Sequence, residues 1–172
     1  MGQQLKMFKI FNTESLMSLN NIFGPNNIVG FDKTNIVGIK YDYENNQLKY
    51  IMQKVPFTLT QQLIITSQHF VDMIEKIGSK GFRSNIDLNM ELPDDEIKQL
   101  NEYIFRISKA QTDKKLYKEL IYDEIIRLED EFGAEIESVS FTVQNKRIKF
   151  KNNGIVFADE DSFEVAGEVL SY

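Results

Sequence analysis

Between residues 58 and 157 the hydrophobic period switches repeatedly between about 3.6 and 2 residues, and that succession limits the fold more than any other feature. Leu63, Phe70, Ile74 and Ile77 fall within a narrow arc at about 100° per residue. They predict a helix from about Thr58 to Gly78, with Thr58 and Gln61 at capping-box separation. Asn85–Leu92 alternates strictly, with Ile86, Leu88, Met90 and Leu92 on one side, and predicts a half-buried strand. Pro93 opens a second helix whose first turn, Asp94-Asp95-Glu96, complements the positive end of the helix dipole. Its apolar stripe is Ile97, Leu100, Ile104 and Ile107. A third helix carries Tyr117, Ile121, Ile125, Leu128 and Phe132 on one face and stops at Gly133. Val139, Phe141 and Val143 alternate, Gln144-Asn145-Lys146 turns, and Ile148 and Phe150 return as a hairpin. Asn152-Asn153-Gly154 then turns into a strand at Ile155–Ala158.

The first third reads as antiparallel strands. Leu5–Phe11 is a first strand, and Thr13–Phe23 is a short helix stopped by Gly24-Pro25. The tetrapeptide at 27–30 recurs unchanged at 35–38, giving two β-branched runs around a polar turn. Val37, Ile39, Tyr41 and Tyr43 alternate, Asn45-Asn46 suits a turn, and Gln47–Val55 is expected to return as a third strand. The acidic tail from Asp159 to Tyr172 holds a candidate edge strand at Phe163–Leu170. The expected class is α+β, a mainly antiparallel sheet with an N-terminal meander and three main helices. At 172 residues the chain is one domain, with subdomains expected at 1–57 (the meander) and 58–172 (the helical part with its C-terminal hairpin).

Composition removes several kinds of chemistry. With no cysteine, disulfides, thiolate nucleophiles and Cys-ligated metals are excluded. The first eleven residues lack the apolar run of a signal peptide, and no stretch approaches the ~18 apolar residues of a membrane span. The expected location is therefore the cytoplasm, with no membrane partner. Frequent Asn, Ile, Lys and Tyr suggest AT-rich coding DNA, as in many low-GC bacteria, their phages and mobile elements.

Charge is laid out in blocks. Residues 106–118 hold Arg106, Lys109, Lys114, Lys115 and Lys118 against Asp113 alone. Residues 119–137 reverse this, with Glu119, Asp123, Glu124, Glu129, Asp130 and Glu131 followed by Glu135 and Glu137, against Arg127. The charged residues of 138–151 are all basic: Lys146, Arg147, Lys149 and Lys151. The order helix, strand, helix, helix, basic hairpin resembles a winged-helix module. In that arrangement the two basic blocks would lie at the inter-helix turn and the wing, where a phosphate backbone is met. The plainer reading is a sheet with one wet face, its lysines paired to Glu135 and Glu137 across the strands. The third helix turns acidic after Lys118, and those carboxylates would oppose DNA.

Catalysis has thin support. His69 is the one imidazole, and helical spacing groups it with Asp72 and Lys76 off the apolar face, where it would be exposed. A hydrolase centred on His69 is the remotest reading. Pro93–Lys98 contains the letters of a nuclease pattern, but all fall within one helix start, whereas that chemistry needs carboxylates from separate strands. Asp87 and Glu91 share a strand face about 13 Å apart and cannot chelate one ion. No metal or cofactor is expected.

What remains is a non-enzymatic, protein-binding regulator or inhibitor, of phage or mobile-element type. Its acidic helix would meet a basic partner, such as the surface of a nucleic-acid enzyme. The alternative is a winged-helix-like nucleic-acid binder using the basic blocks.

Overall fold

A computed structural model describes residues 2–31, 34–42, 44 and 47–171. The fold is mixed α+β, and the strand pairings registered among these residues are all antiparallel. Contacts divide the chain into two compact units, Met1–Ile64 with Asn153–Tyr172, and Ile65–Asn152.

In the first unit, β1 (Gln3–Ile10) is the central strand. One edge pairs with β3 (Ile36–Lys40), which also holds β2 (Ile28–Gly30). The other edge is shared: β8 (Ile155–Ala158) covers Gln3–Lys6, and β4 (Thr60–Gln62) covers Phe8–Ile10. The handover falls at Met7, whose N–H donates to the Gly154 carbonyl while its own carbonyl accepts from Leu63. A Cβ on Gly154 would sit 2.1 Å from the Leu63 oxygen, and φ there is +80°, so the crossing requires glycine. Leu5, Lys6, Met7 and Phe8 are all buried, because both faces of β1 are covered.

Helix α1 (Thr13–Phe23) starts where expected, with the Asn12 side chain accepting from the Ser15 N–H. Its Leu19 and Phe23 pack with Phe8, Val37 and Ile39 of the sheet and with Ile51 and Val55. The last two belong to a correction. Residues 47–55 do not return as a third strand but form α2 (Leu48–Lys54). Leu48, Ile51, Met52 and Val55 have the i, i+3, i+4, i+7 spacing of a helix face, which outweighs the alternation of Leu48, Tyr50 and Met52. The meander is thus confined to β2 and β3. Tyr43 and the Asn45-Asn46 turn lie outside the described residues. The tail corrects similarly: Phe163–Leu170 is helix α6, with Ala166, Gly167, Val169 and Leu170 buried. Gly167 permits close packing, since a Cβ would lie 2.7 Å from Phe31 Cδ1.

The second unit follows the expected order. Helix α3 (Ser67–Ser79) begins later than Thr58. Thr66 is its cap, accepting from the His69 N–H, while 60–62 are drawn into β4. Strand β5 (Asn85–Leu88) ends four residues earlier than its alternation suggests. Helices α4 (Asp94–Lys109) and α5 (Lys114–Phe132) match their stripes, and α5 closes on Gly133 in the left-handed region. Strands β6 (Ile136–Val143) and β7 (Lys146–Lys151) form the hairpin, and the local strand order is β7-β6-β5. Ile104, Ile107, Ile121, Ile125 and Leu128 are all buried, as their helix phases require.

Candidate partner-binding surface

On α5, Glu119, Asp123 and Asp130 fall within about 40° of one another at 100° per residue, opposite the buried Ile125–Leu128 side. Over about 1.5 Å per residue the stripe runs about 16 Å along the helix. All three carboxylates are exposed and make no ion pair among the described residues. Leu116, half exposed, lies beside them. Glu119 and Asp123 also line a cleft of about 510 Å³ between α3 and α5, together with Gln68, Lys115 and Tyr122.

The other acidic candidates are occupied. Arg127 binds Glu124 at 3.1 Å and Glu131 at 2.9 Å, and reaches Glu96 of α4 at 3.4 Å. Hydrogen bonds to these carboxylates, Glu124 first, raise the Arg127 guanidinium pKa further. Glu129 accepts from the Ser67 hydroxyl at the start of α3. Glu129 thus joins α5 to α3, Glu124 and Glu131 hold Arg127 along α5 itself, and the sequence block of six resolves into an outward stripe of three.

The basic block residues are mostly engaged. Lys118 reaches across to α3 and lies 2.8 Å from both Asp72 and Glu75. Arg106 holds Glu102 at 2.6 Å, and Lys109 stands over the Phe105 ring at 6.0 Å. Arg147 donates to Ser140 Oγ at 3.0 Å. Lys149 pairs with Asp87 at 3.3 Å rather than with the expected Glu135 or Glu137. Burial pushes the Asp87 carboxyl up, but hydrogen bonds from Ser138 and Lys149 bring it below its ordinary value. Lys146 also has an interaction partner. Lys114, Lys115 and Lys151 make no ion pair among the described residues.

His69 is not on the wet face expected for it. It is buried at 4 % exposure, in line with the buried Met73 and Ile77 one and two turns further along α3. Those i+4 and i+8 positions were the available signal. The Asp72–Glu75 clamp was missed as well, although an i, i+3 acidic pair on α3 facing a basic helix start could have suggested it. Among the described residues no group of three or more His, Cys, Asp and Glu is placed to hold a metal ion, and no helix is long and apolar enough to cross a membrane.

Among three kinds of known protein, namely family models, curated sequences and solved structures, none matches the chain.

Proposed function

We propose that the protein is a non-enzymatic, cytoplasmic protein-binding regulator whose α5 stripe engages a basic surface on its partner. The observation that carries this reading is the alignment of three carboxylates without ion pairs on one line of α5. Lys118, Arg106 and Lys149 are neutralised within the protein, whereas Glu119, Asp123 and Asp130 face outward on one line. An outward negative field attracts and orients a positive partner, and nearby Leu116 offers the apolar contact that a charged rim alone lacks. A basic surface that otherwise holds nucleic acid has this chemistry, and its occlusion would be inhibitory.

The test is partner capture from the native host with wild type and with the variant Glu119→Lys, Asp123→Lys, Asp130→Lys. Capture should fall about tenfold or more, while the thermal midpoint stays close to wild type, because all three positions are exposed. Undiminished capture would remove the α5 stripe as the contact. A second reading, a winged-helix-like nucleic-acid binder, draws on the cations without ion pairs, Lys114, Lys115 and Lys151. It predicts that Lys114→Glu with Lys115→Glu abolishes a gel shift of DNA or RNA at low salt, and that the shift weakens steeply as salt rises.

A further inference from the structure

The local sheet of the second unit ends at β5, whose outer edge has no strand beside it among the described residues. Such an edge leaves alternate backbone N–H and C=O groups without ladder partners, a template for another strand. A groove of about 430 Å³ lies along it. Its lining includes Ile86, Asp87 and Leu88 in succession. A hollow on one face of a strand would touch alternate residues; one beside an edge touches consecutive ones. Ile97 and Leu100 of α4 form the opposite wall, and Met90, 41 % exposed, leaves apolar surface uncovered at the mouth.

The charge on this rim has one sign. Glu91 and Asp94 line the groove without an ion pair among the described residues, and no lysine or arginine lines it. A second copy pairing edge to edge would offer its own β5, Asn85-Ile86-Asp87-Leu88, whose residues between the apolar ones are Asn and Asp rather than cations, so it has nothing to set against Glu91 and Asp94.

We propose that this groove binds an extended segment of a partner protein by strand addition to β5, the segment carrying apolar side chains at every second position and Lys or Arg between them. Main-chain bonds to the edge supply affinity, and the alternate apolar side chains enter the groove. Lysine or arginine stems then reach Glu91 and Asp94. The four residues of β5, at about 3.3 Å each, match roughly four to five residues of the added strand. This surface is separate from the α5 stripe and stands whether or not that stripe binds.

The test uses a fluorescein-labelled peptide of about eight residues alternating Lys and Val, read by anisotropy against the full chain. Saturable binding is expected, with raised amide protection at 85–88 by hydrogen exchange. A peptide of the same composition with its lysines and valines in separate blocks should bind about tenfold more weakly. N-methylating every Val amide, or every Lys amide, should abolish binding in one of the two cases, since one edge of the peptide faces β5. Met90→Lys with Glu91→Lys, both exposed, should weaken binding about tenfold, while the α5 stripe variant should leave it within about twofold. The proposal is overturned by absence of saturable binding, by equal binding of the block peptide, or by insensitivity to both N-methylated peptides. It is equally overturned if the α5 stripe variant loses binding and the Met90/Glu91 variant does not, because attraction to net negative charge would then be the whole effect.

Discussion

Two lysines, one in each unit, are withdrawn from water on opposite terms. Lys6 sits on the central strand of the first unit at 4 % exposure, and its ammonium donates to the Asn153 carbonyl. Desolvation holds its pKa below the ordinary lysine value. Lys118, in the second unit, keeps part of its side chain wet and lies between two carboxylates at 2.8 Å. Hydrogen bonds to Asp72 and then Glu75 hold its pKa above the ordinary value. The first unit therefore buries a charge because its central strand has no wet face. The second, whose helices each keep one, uses charge to join them. Burial without an opposite charge costs stability, and pairing at a partly wet site recovers some of it.

The largest expected effects lie in the cores beside these lysines. Phe8, two residues from Lys6 and fully buried, packs against both α1 and α2. Phe8→Ala should cost about 3–5 kcal/mol in urea unfolding, and Ile104→Ala or Ile125→Ala about 2–5 kcal/mol. Costs below about 1 kcal/mol at all three would mean that the cores are not packed as described. Lys49→Ala, at an exposed position on α2, should stay within about 0.5 kcal/mol.

The comparison sharpens when the lysines themselves are changed. Lys6→Met removes the desolvation cost along with one hydrogen bond, so stability at neutral pH should hold or rise. Lys118→Met leaves Asp72 and Glu75 without their shared cation and should cost about 1 kcal/mol. The pH dependences carry opposite signs. A depressed lysine pKa means that, between the folded value and 10.5, the unfolded chain binds more protons, so stability rises with pH. A raised lysine pKa contributes stability that is fully present below 10.5 and lost as pH climbs through the folded value. Urea midpoints from about pH 8 to about pH 11 should lose the alkaline gain in the Lys6 variant and the alkaline loss in the Lys118 variant. Identical profiles for both variants would collapse the distinction between the two sites.

The same contrast explains what the sequence made legible. Helices α3, α4 and α5 each bury one stripe and wet the other, so period 3.6 stands out from Phe70 to Leu128. Strand β7 alternates for the same reason, while β6 alternates in residue type although its Ser138 and Ser140 are buried as well. In the first unit the patterns are short. Seven residues at 48–54 fit both periods, and the helix wins because Ile51 and Val55 face the cluster around Phe8. Phe163–Leu170 is short enough to read as an edge strand, yet it is helix α6, where Gly167 is needed for the approach of Phe31. The acidic block was visible as composition. That Ser67 takes Glu129 was not, because that partner is set by packing between helices, whereas Arg127 takes Glu124 and Glu131, three residues before it and four after it on α5, at a spacing that the sequence does show.

The smallest effects decide where α3 begins, the point at which sequence and structure differ by a few residues and one cap. Thr58 and Thr66 both precede apolar helical positions, and Thr58 has a Gln at capping-box distance. The structure puts Thr58 in an exposed turn before β4, while the Thr66 hydroxyl accepts from the His69 N–H at 3.2 Å. A cap satisfies a donor that otherwise lacks an intrahelical partner, and its removal costs about 1 kcal/mol. Thr66→Ala should therefore lower stability by about that amount, and Thr66→Asp or Thr66→Ser should restore most of it. Thr58→Ala should stay within about 0.5 kcal/mol, as exposed turn positions do. Asn12→Ala gives the matching cap in the first unit, since its side chain accepts from the Ser15 N–H, and it should cost about as much as Thr66→Ala. A larger loss at Thr58 than at Thr66 would move the start of α3 back toward residue 58 and dissolve the pairing of β4 with β1, because residues 60–62 cannot serve a helix and that strand at once.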